Sequence, residues 1–309
     1  MKNSRVLITG VAGFIGSRLA QKFLLENFEV IGVDDLSTGI FANIPQGVKF
    51  IEADLSDYSQ FSSLNIKCDV ILHLAGQSSG EISFENPVSD LEKNCHSTLN
   101  LIKWGIDNSV KKIVYASSMS VYGDVPNIPI DETHPCNPKS CYGVGKLASE
   151  NYLKVYQNQL PYTILRMFNV YGPGQDMNNM KQGMLSIFLS QAFKSRVITI
   201  KGSLQRFRDF VFIDDVINTW YNTALDTHTN NKTFNLGSGK RTTVGELVDK
   251  IIELVPGTVC VVVEGTQGDQ FGIFADNTAM KLFMNDYKFT ELDCGLKIFV
   301  NSLDEGVYK

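Results

Sequence analysis

The stretch Val6-Leu7-Ile8-Thr9-Gly10-Val11-Ala12-Gly13-Phe14-Ile15-Gly16 decides how this chain folds. Its first four residues are apolar or β-branched and indicate a buried strand, and glycines at spacing three follow. From Ser17 to Glu26 the apolar residues recur at helical spacing, so a strand, a tight turn and a helix are predicted in this order. Glycine permits the sharp turn and a close approach of the backbone to a pyrophosphate, which would rest on the N–H groups at the helix start. The stretch therefore indicates a dinucleotide site.

The next predicted strand, Phe28 to Val33, ends on an acidic residue, Asp34. A carboxylate about twenty residues beyond a glycine loop can accept hydrogen bonds from an adenosine ribose. It would favour NAD over NADP, because it repels a 2′-phosphate. The alternative is that Asp34 only caps the loop that follows it.

Composition and charge describe an ordinary globular protein. The chain has 309 residues, 43% hydrophobic and 20% charged, with a formal net charge of −5. This charge provides no basic face for nucleic acid or for an anionic membrane surface. No apolar run approaches the ~20 residues of a membrane span, and the N-terminus enters the first strand almost at once, so we expect a cytoplasmic protein. The six cysteines and four histidines are dispersed, and no metal site is predicted.

Strands and helices alternate through the first half of the chain. Further strands are predicted at Val48 to Ala53, Cys68 to Ala75, Lys111 to Ser118 and Tyr162 to Phe168, and helices at Val88 to Asn108 and Cys141 to Gln159. This order predicts an α/β protein with a Rossmann-type, doubly wound parallel sheet. Beyond Gly172 the pattern becomes irregular. We interpret residues 1–172 as an NAD-binding domain and residues 173–309 as a smaller, mixed α/β substrate lobe, with the chain crossing between them.

A second constellation combines Ser118, at the end of a predicted strand, with Tyr142 and Lys146. Tyrosine and lysine at i and i+4 project from the same face of a helix. The ammonium group of Lys146 is expected to favour the phenolate and lower the pKa of Tyr142, making it a usable base near neutral pH. Ser118 can share the proton that moves. The alternative interpretation is that Tyr142 and Lys146 share a helix face by chance and have no catalytic role.

Taken together, these motifs resemble the extended short-chain dehydrogenase/reductases that modify nucleotide sugars, within the NAD-dependent epimerase/dehydratase family. The motifs of the resemblance are Thr9-Gly10-x-x-Gly13-Phe14-Ile15-Gly16, Val33-Asp34-Asp35-Leu36-Ser37-Thr38-Gly39, His73-Leu74-Ala75-Gly76, Ser117-Ser118-Met119-Ser120-Val121-Tyr122-Gly123, Tyr142-x-x-x-Lys146, Arg166-Met167-Phe168-Asn169-Val170-Tyr171-Gly172-Pro173-Gly174 and Arg208-Asp209-Phe210-Val211-Phe212-Ile213-Asp214-Asp215-Val216. The resemblance spans Val6 to about Asp276. It is specific for the superfamily and much less specific for the substrate.

The resemblance implies that NAD is the cofactor and assigns its contacts. Gly10, Gly13 and Gly16 would hold the pyrophosphate, with Phe14 and Ile15 packed beside it. Asp34 would bind the ribose, Asp54 and Leu55 the adenine, and Lys146 the nicotinamide ribose. The motifs imply further cofactor positions at Asp35, Ser37, Thr38, Gly39, Leu74, Ala75, Gly76, Asn94 and Tyr142. For Asn94, a structural helix asparagine remains an alternative.

The resemblance also implies a nucleotide-diphosphate sugar as substrate, most often a UDP-sugar. The substrate positions it implies are Ser78, Glu81, Ser118, Tyr142, Asn169, Arg208 and Asp269, with Arg208 as a diphosphate partner. The alternatives are a turn-forming asparagine for Asn169, a surface cation for Arg208 and a loop cap for Glu81. Ile273 stands where some relatives carry a bulky aromatic, so acceptance of N-acetylated sugars stays open. A homodimer is expected from the resemblance alone.

Two residues direct the choice of reaction. Nucleotide-sugar 4,6-dehydratases place an acidic pair after the catalytic hydroxyl residue, whereas Met119 and Ser120 follow Ser118 here. Elimination is therefore unsupported, and the chain most resembles the UDP-glucose 4-epimerase group, whose members oxidise a sugar carbon and return the hydride to its other face. The alternatives are a nucleotide-sugar reductase or decarboxylase, and a non-catalytic NAD-binding sensor. The intact Ser118, Tyr142 and Lys146 argue against a sensor.

Overall fold

The computed structural model describes residues 4–62, 66–265 and 270–304. The strands are β1 Arg5–Thr9, β2 Glu29–Asp34, β3 Lys49–Glu52, β4 Val70–His73, β5 Lys112–Ser118, β6 Tyr162–Met167, β7 Asn169–Tyr171, β8 Val197–Lys201, β9 Phe207–Arg208, β10 Phe210–Phe212, β11 Lys232–Leu236, β12 Thr242–Thr243 and β13 Val259–Val263. The α-helices are α1 Phe14–Leu25, α2 Tyr58–Ser62, α3 Gly80–Glu85, α4 Pro87–Leu91, α5 Ser97–Asp107, α6 Cys141–Val155, α7 Met184–Ser195, α8 Ile213–Leu225, α9 Val244–Leu254, α10 Thr278–Phe283 and α11 Leu292–Asp304, and a π-helical turn at Glu92–His96 joins α4 to α5.

The main sheet has seven strands in the order β11-β6-β5-β4-β1-β2-β3. The pairings from β3 to β5 are parallel, and Thr9 at the end of β1 stands opposite both Val33 and His73. The carboxyl ends of β1, β2 and β4 therefore lie at one edge of the sheet. This strand order, reversing on either side of β1, confirms the predicted Rossmann-type, doubly wound α/β fold.

The apolar side chains of the strands form the buried core of the main sheet. In β1 every residue after the first is buried, and Leu7, Ile71 and Ile113 from neighbouring strands form the centre of one apolar core. Helix α5 contributes Trp104, whose ring packs against that of Phe61 with centroids 5.0 Å apart. Strands buried on both faces are typical of a parallel sheet covered by helices.

The chain divides into two compact units. The first unit comprises Met1–Val121, Ser140–Arg166 and Ile217–Phe234, and the second comprises Tyr122–Lys139, Met167–Val216 and Asn235–Lys309. The chain thus passes between the units several times. The predicted assignment of residues 1–172 to NAD and residues 173–309 to substrate concerns ligand binding and stays a prediction.

The second unit contains short strand pairs rather than one large sheet. β10 pairs with β7 and β13 with β8 in parallel, whereas β12 pairs with β9 antiparallel. Helices α7, α9 and α11 accompany these pairs. The mixed, irregular C-terminal lobe that the sequence predicts is therefore present.

The predicted single helix from Val88 to Asn108 is wrong in its details. Proline at position 87 begins a separate short helix, α4, and the π-helical turn interrupts the regular hydrogen bonding before α5. Apolar periodicity does not register one inserted residue. Within the described ranges, none of the helices combines the length and apolar character needed to cross a membrane.

Candidate active site

The glycine loop between β1 and α1 is shaped by two close backbone approaches, at Gly10 and at Gly16. Gly10 has φ +71°, and a Cβ there would stand 2.8 Å from the amide nitrogen of Ala75. A Cβ on Gly16 would collide with the carbonyl oxygen of Gly10. Gly13 is the N-cap of α1 and provides no side-chain acceptor for the first-turn amides. The loop therefore offers backbone N–H groups at a helix N-terminus, as a pyrophosphate requires.

Asp34, at the end of β2, binds the backbone of two loops. Its Oδ2 accepts a hydrogen bond of 2.9 Å from the Ala12 amide, and its Oδ1 accepts one of 2.9 Å from Leu36. Burial raises the pKa of Asp34, while these two hydrogen bonds oppose the increase. The loop-capping role is thus present in the structure. A ribose contact by the remaining lone pairs stays a prediction.

Lys93 joins two predicted cofactor residues that lie far apart in the sequence. Its Nζ lies 2.6 Å from Asp35 Oδ2 and 2.6 Å from Asp54 Oδ2. Although burial acts to raise them, the hydrogen bonds from Lys93 and from neighbouring serines hold the pKa of both carboxyls below the ordinary value. Ser37 and Ser56 supply those further hydrogen bonds, so Lys93 and two serines fix the loops after β2 and β3.

The loop after β4 is held by Thr9. Its Oγ1 accepts from the amides of residues 74–75, each at 3.2 Å, so both lone pairs are used. The hydroxyl proton is then donated to His73 Nδ1, at 2.8 Å. His73 Nε2 therefore carries the proton and donates to Thr98 Oγ1 at 3.0 Å. Burial and the charge of Lys146 lower the pKa of His73 to about 3, so the imidazole is neutral and structural.

Ser118, Tyr142 and Lys146 meet at the ends of β5 and α6. The hydroxyl of Ser118 donates to Ser120 Oγ at 3.2 Å and lies near the phenol of Tyr142, whose pKa it acts to lower. Lys146 Nζ lies 5.7 Å from the centroid of the Tyr142 ring. The helix begins at Ser140, whose side chain caps the amide of Gly143. The structure therefore brings together the three residues that the sequence nominates as catalytic.

The expected lowering of the Tyr142 pKa is wrong for the chain by itself. Burial raises the pKa of Tyr142 to about 12, although the hydrogen bond from Ser118 opposes it and the negative charge of Asp90 adds to it. Burial lowers the pKa of Lys146 to about 8, with Asp90 acting in the opposite direction. The loss of hydration by both side chains outweighs the effect of the lysine charge on the phenol.

A buried ion pair fixes helix α6 against the sheet. The guanidinium of Arg166 in β6 donates to Glu150 Oε1 at 2.9 Å through Nε and to Oε2 at 2.7 Å through Nη2. Ser117 in β5 donates to the same Glu150 Oε1 at 2.6 Å. Because Glu150 follows Lys146 by one helical turn and Ser117 precedes Ser118, this contact sets the register between the two halves of the candidate site.

The environment of Gly76 matches a cofactor surface. Its φ is +146°, and a Cβ there would be 2.5 Å from Asn94 Oδ1 and 3.5 Å from Lys146 Nζ. Asn94 is buried, and its Oδ1 has no hydrogen-bond partner among the residues that the structure describes. An unsatisfied buried acceptor beside a half-buried glycine and a lysine donor fits the ribose and amide groups of a dinucleotide. Together with the glycine loop, these residues fit NAD.

The segment after Gly76 leads into the short helix α3, which carries Glu81 in its first turn. Ser79 is the N-cap of α3 and accepts from the Ile82 amide at 3.3 Å. Glu81 lies exposed in the first turn of that helix, and Ser78 is exposed before it. Ser79, and not Glu81, therefore caps this helix, and the loop-cap interpretation of Glu81 stays an alternative. Substrate contacts by Ser78 and Glu81 stay predictions.

In the second unit, Asn169 lies in a strand and not in a turn. Its backbone amide and its Nδ2 both donate to the carbonyl oxygen of Asp209, each at 3.0 Å. The Asp209 carboxylate is fully buried and accepts from the amides of Ser238, Gly239 and Ala275. The turn-forming alternative for Asn169 is wrong, because parallel pairing of β7 with β10 places it within a sheet.

Arg208 is buried, which contradicts its interpretation as a surface cation. Its Nη1 donates to the carbonyl oxygens of Phe207 at 2.8 Å and Phe271 at 3.3 Å, and its Nη2 donates to that of Gln270 at 3.0 Å. Burial and the neighbouring Arg206 lower the pKa of Arg208 to about 10. The predicted substrate residue Asp269 lies outside the described residues.

Sequence reasoning missed several residues of the site. Lys93, Asp90 and Arg166 act across long sequence separations, which no local pattern reports. Glu150 carried a usable signal, since it continues the i, i+4 series that begins with Tyr142 and Lys146. The residues that the structure describes contain no group of three or more His, Cys, Asp or Glu side chains placed to hold a metal ion.

The fold, the glycine loop and the serine, tyrosine and lysine set define a nucleotide-binding protein of the short-chain dehydrogenase/reductase class. The chain belongs to the NAD dependent epimerase/dehydratase family, whose family model matches residues 6–237. NAD is accordingly its cofactor.

The relatives of this chain differ from one another in activity. The chain is 37% identical over 252 residues to UDP-glucose 4-epimerase of Mycolicibacterium smegmatis, covering 79% of this chain and 80% of that one. It is similar to the crystal structure of UDP-glucose 4-epimerase with UDP-glucose from Thermotoga maritima, with a TM-score of 0.92, 31% identity and coverage of 97% and 99%. It is also 32% identical over 222 residues to UDP-glucuronic acid decarboxylase 1 of Xenopus tropicalis, covering 69% of this chain and 52% of that one.

Proposed function

We propose that this chain is an NAD-dependent nucleotide-sugar 4-epimerase, with a UDP-hexose as substrate. The observation that carries the proposal is the proximity of Ser118, Tyr142 and Lys146, with Lys146 Nζ 3.5 Å from the point where a Cβ on Gly76 would stand. This arrangement places a proton-transfer group next to residues that fit a dinucleotide. Similarity to 4-epimerases supports the choice of reaction within the family.

Tyr142 is the proposed base, and Ser118 is its hydrogen-bonding partner. Tyr142 takes the proton of the sugar C4 hydroxyl, directly or through the Ser118 hydroxyl. In the chain alone burial raises the Tyr142 pKa to about 12, so this transfer needs further positive charge at the site. Lys146 provides part of that charge and would bind the nicotinamide ribose.

NAD held at the loop of Gly10, Gly13 and Gly16 would supply reversible hydride transfer at the sugar C4. The protein must therefore hold the 4-keto sugar while it presents its other face, and then return the proton from Tyr142 to the new hydroxyl. Two electrons and one proton leave and come back, so no external reductant is consumed. The proton never has to reach solvent, because Tyr142 keeps it between the two half-reactions.

The two residues after Ser118, Met119 and Ser120, support epimerisation over elimination. Ser120 shares a hydrogen bond with Ser118, and its amide donates to Ser118 Oγ at 3.1 Å. A hydroxyl and a thioether at positions 120 and 119 provide no carboxyl group to remove a proton from C5 or to protonate a leaving hydroxyl at C6. An acid supplied from elsewhere in the chain would be required for dehydration.

Buried arginine supports a diphosphate substrate. Arg208 directs its guanidinium hydrogen bonds to backbone carbonyls, and Arg206 adds a second buried cation. Two buried guanidinium groups favour an anionic ligand, which would relieve their mutual repulsion. Asn169, Ser78, Glu81 and Asp269 are the further proposed substrate contacts.

The function is tested by incubating the purified protein, without added cofactor, with UDP-glucose, UDP-N-acetylglucosamine and their TDP, GDP and CDP counterparts. Proton NMR of the sugar should show an equilibrium mixture of C4 epimers for at least one UDP-sugar. No conversion of any of them, with NAD released on denaturation, would contradict the proposal.

Replacing Tyr142 with phenylalanine provides the matched control. The variant Tyr142→Phe keeps the ring and loses only the hydroxyl, so turnover should fall by roughly a thousandfold or more while NAD content is unchanged. Turnover equal to that of the wild type would remove Tyr142 from the mechanism.

Similarity to a UDP-glucuronic acid decarboxylase supports a second candidate reaction. A decarboxylase would release carbon dioxide from UDP-glucuronic acid, and a reductase would consume NADH or NADPH stoichiometrically. Carbon dioxide release is measured in a further incubation with UDP-glucuronic acid, and consumption of the reduced cofactor is measured after NADH or NADPH is added to the UDP-sugars. A non-catalytic NAD-binding sensor predicts none of these conversions.

A further inference from the structure

A buried carboxylate lies beside the candidate site and has no part in the proposed reaction. Asp90, in α4, is 2% exposed. Its Oδ1 accepts hydrogen bonds of 3.1 Å from Gln77 Nε2 and 3.1 Å from Asn94 Nδ2. Its Oδ2 is 3.5 Å from the point where a Cβ on Gly145 would stand, so it lies against helix α6 between Tyr142 and Lys146.

The contact with Asn94 fixes which way that amide faces. A carboxylate only accepts hydrogen bonds, so the NH2 group of Asn94 must point to Asp90. The carbonyl oxygen of the same amide then points to Gly76 and is left unpartnered there, close to Lys146 Nζ. The acceptor aimed at the predicted cofactor surface is therefore oriented by Asp90.

The charge of Asp90 acts on the same groups. Its negative charge stabilises the ammonium form of Lys146 against burial and disfavours the phenolate of Tyr142. The other titratable groups around Lys146 are His73 at the end of β4, which is neutral, and Tyr115 in β5, whose ring centroid is 5.1 Å from Lys146 Nζ. Burial keeps the Tyr115 phenol protonated. Burial raises the pKa of Asp90, while the charge of Lys146 and the hydrogen bond from Asn94 oppose this increase. Asp90 is therefore the carboxyl group among these neighbours that Lys146 helps to keep ionised.

We propose that Asp90 is a positioning residue of the active site, which orients Asn94 toward Gly76 and serves as the buried counter-ion of Lys146. Its use in catalysis rests on the proposed function, whereas its effect on Lys146 does not. Different substitutions test the charge of Asp90 and its orientation of the Asn94 amide.

The variant Asp90→Asn removes the charge and keeps an acceptor oxygen for Gln77 and Asn94. Loss of a negative charge favours the deprotonated forms of both Tyr142 and Lys146, so both limbs of the pH profile of turnover should move to lower pH by roughly one pH unit. A merely structural defect would lower turnover without moving the limbs. Asp90→Leu also removes the acceptor, and it should lower NAD content as well as turnover.

A measurement without substrate keeps this proposal separate from the proposed function. Protein labelled with 13C at the lysine ε-carbon reports the ionisation of Lys146 by NMR, with its signal assigned by loss in Lys146→Met. In Asp90→Asn the midpoint should lie below that of the wild type by roughly one pH unit. An unchanged Lys146 midpoint would overturn the proposal, whatever the enzyme turns over.

The control is Asp107→Asn, which removes one exposed carboxylate at the end of α5 and changes the net charge equally. Its pH profile and Lys146 midpoint should equal those of the wild type. If Asp90→Asn does not accumulate as folded protein, Asp90→Ser keeps a smaller acceptor without charge and takes its place in both measurements.

Discussion

Lys93 places one positive charge between two carboxylates that come from separate loops. The loops after β2 and β3 carry Asp35 and Asp54, and each would otherwise repel the other at the predicted adenosine end of the cofactor site. Side chains of these three residues retain about a quarter to a third of their exposure. Partial burial strengthens such contacts relative to surface pairs. Lys93 therefore organises the predicted adenosine contacts without any sequence motif of its own.

Replacing Lys93 with methionine should weaken NAD binding. The variant Lys93→Met keeps the aliphatic stem and leaves the two carboxylates facing each other, so we expect the NAD dissociation constant to rise by roughly tenfold. NAD content after gel filtration and titration of stripped protein measure the effect. Lys103→Met, which removes an exposed lysine 4.6 Å from the centroid of the Tyr58 ring, is the control and should bind NAD normally. Equal affinity in both variants would contradict this role.

Helix α6 illustrates how an element is held at a fixed register. Glu150 is fully buried and receives hydrogen bonds from two strands, through Ser117 and Arg166. The pair costs desolvation energy, so its presence is better explained by positioning than by stability. Tyr142 and Lys146 lie on the same helix, and any rotation of α6 would move them relative to Ser118.

Substituting Glu150 with glutamine should destabilise the protein strongly. Glu150→Gln leaves the Arg166 charge buried without its carboxylate, which typically costs about 3–5 kcal/mol. Denaturant unfolding gives the free energy. Lys154→Met provides a matched comparison, since Lys154 is 3.6 Å from Glu150 and 40% exposed, and it should change stability by less than about 1 kcal/mol. Similar decreases in the free energy of unfolding for the two variants would contradict the expected importance of the buried ion pair.

Lys112, at the start of β5, donates hydrogen bonds to the C-terminal end of helix α8 and to the turn that follows it. Its Nζ donates to the carbonyl oxygens of Thr223 at 2.6 Å and Asp226 at 2.8 Å, and to Thr229 Oγ1 at 2.6 Å. Burial lowers the pKa of Lys112 from 10.5 to about 8 in the folded chain. The folded state therefore releases this proton at lower pH than the unfolded state does.

This difference predicts a rise of stability with pH. Between about pH 8 and 10.5 the unfolded chain binds the Lys112 proton more tightly, so the contribution of Lys112 to the free energy of unfolding increases, by up to about 3 kcal/mol. Below pH 8 the contribution is constant. The difference between wild type and Lys112→Met, measured by denaturant unfolding from pH 7 to 10, isolates this group. A difference that is flat or falls with pH would contradict the assignment.

At the scale of the molecule, five of the nine large apolar side chains that are exposed in the described part of the first unit lie on two packed helices. They are Val88 and Leu91 in α4, and Val144, Tyr152 and Val155 in α6. In α6, Val144 and Val155 are three helical turns apart and share a face. A grouped apolar surface of this kind is typical of a protein interface, and it supports the expected homodimer as a proposal.

Introducing a charge on this face should separate the dimer. Val155→Asp places a carboxylate at a side chain that is 72% exposed in the single chain, so folding should be unaffected and self-association weakened by at least tenfold. Light scattering during gel filtration gives the mass. Val259→Asp changes a valine of β13 with 56% exposure and should leave the mass unchanged. A wild-type protein that is monomeric at all concentrations would rule out the homodimer.

Much of the fold was predictable because local patterns encode it. The glycine stretch, the apolar strands and the helix of Tyr142 and Lys146 all lie where periodicity and turn chemistry predicted them. The π-helical turn at Glu92–His96 was not predictable, since its hydrogen-bond shift leaves the apolar spacing nearly unchanged. Strands β9 and β12, of two residues each, were also too short to give a periodic signal.

The sequence by itself determined the fold class, the family and the identity of the serine, tyrosine and lysine set. Each of these depends on residue types at short separations along the chain. Only the tertiary structure decided the electrostatic state of that set. Burial, and not Lys146, dominates the pKa of Tyr142, and the buried carboxylates Asp90 and Glu150 act on the site across the packed helices. Desolvation and charge interactions depend on distances in space, which residue spacing along the chain does not specify.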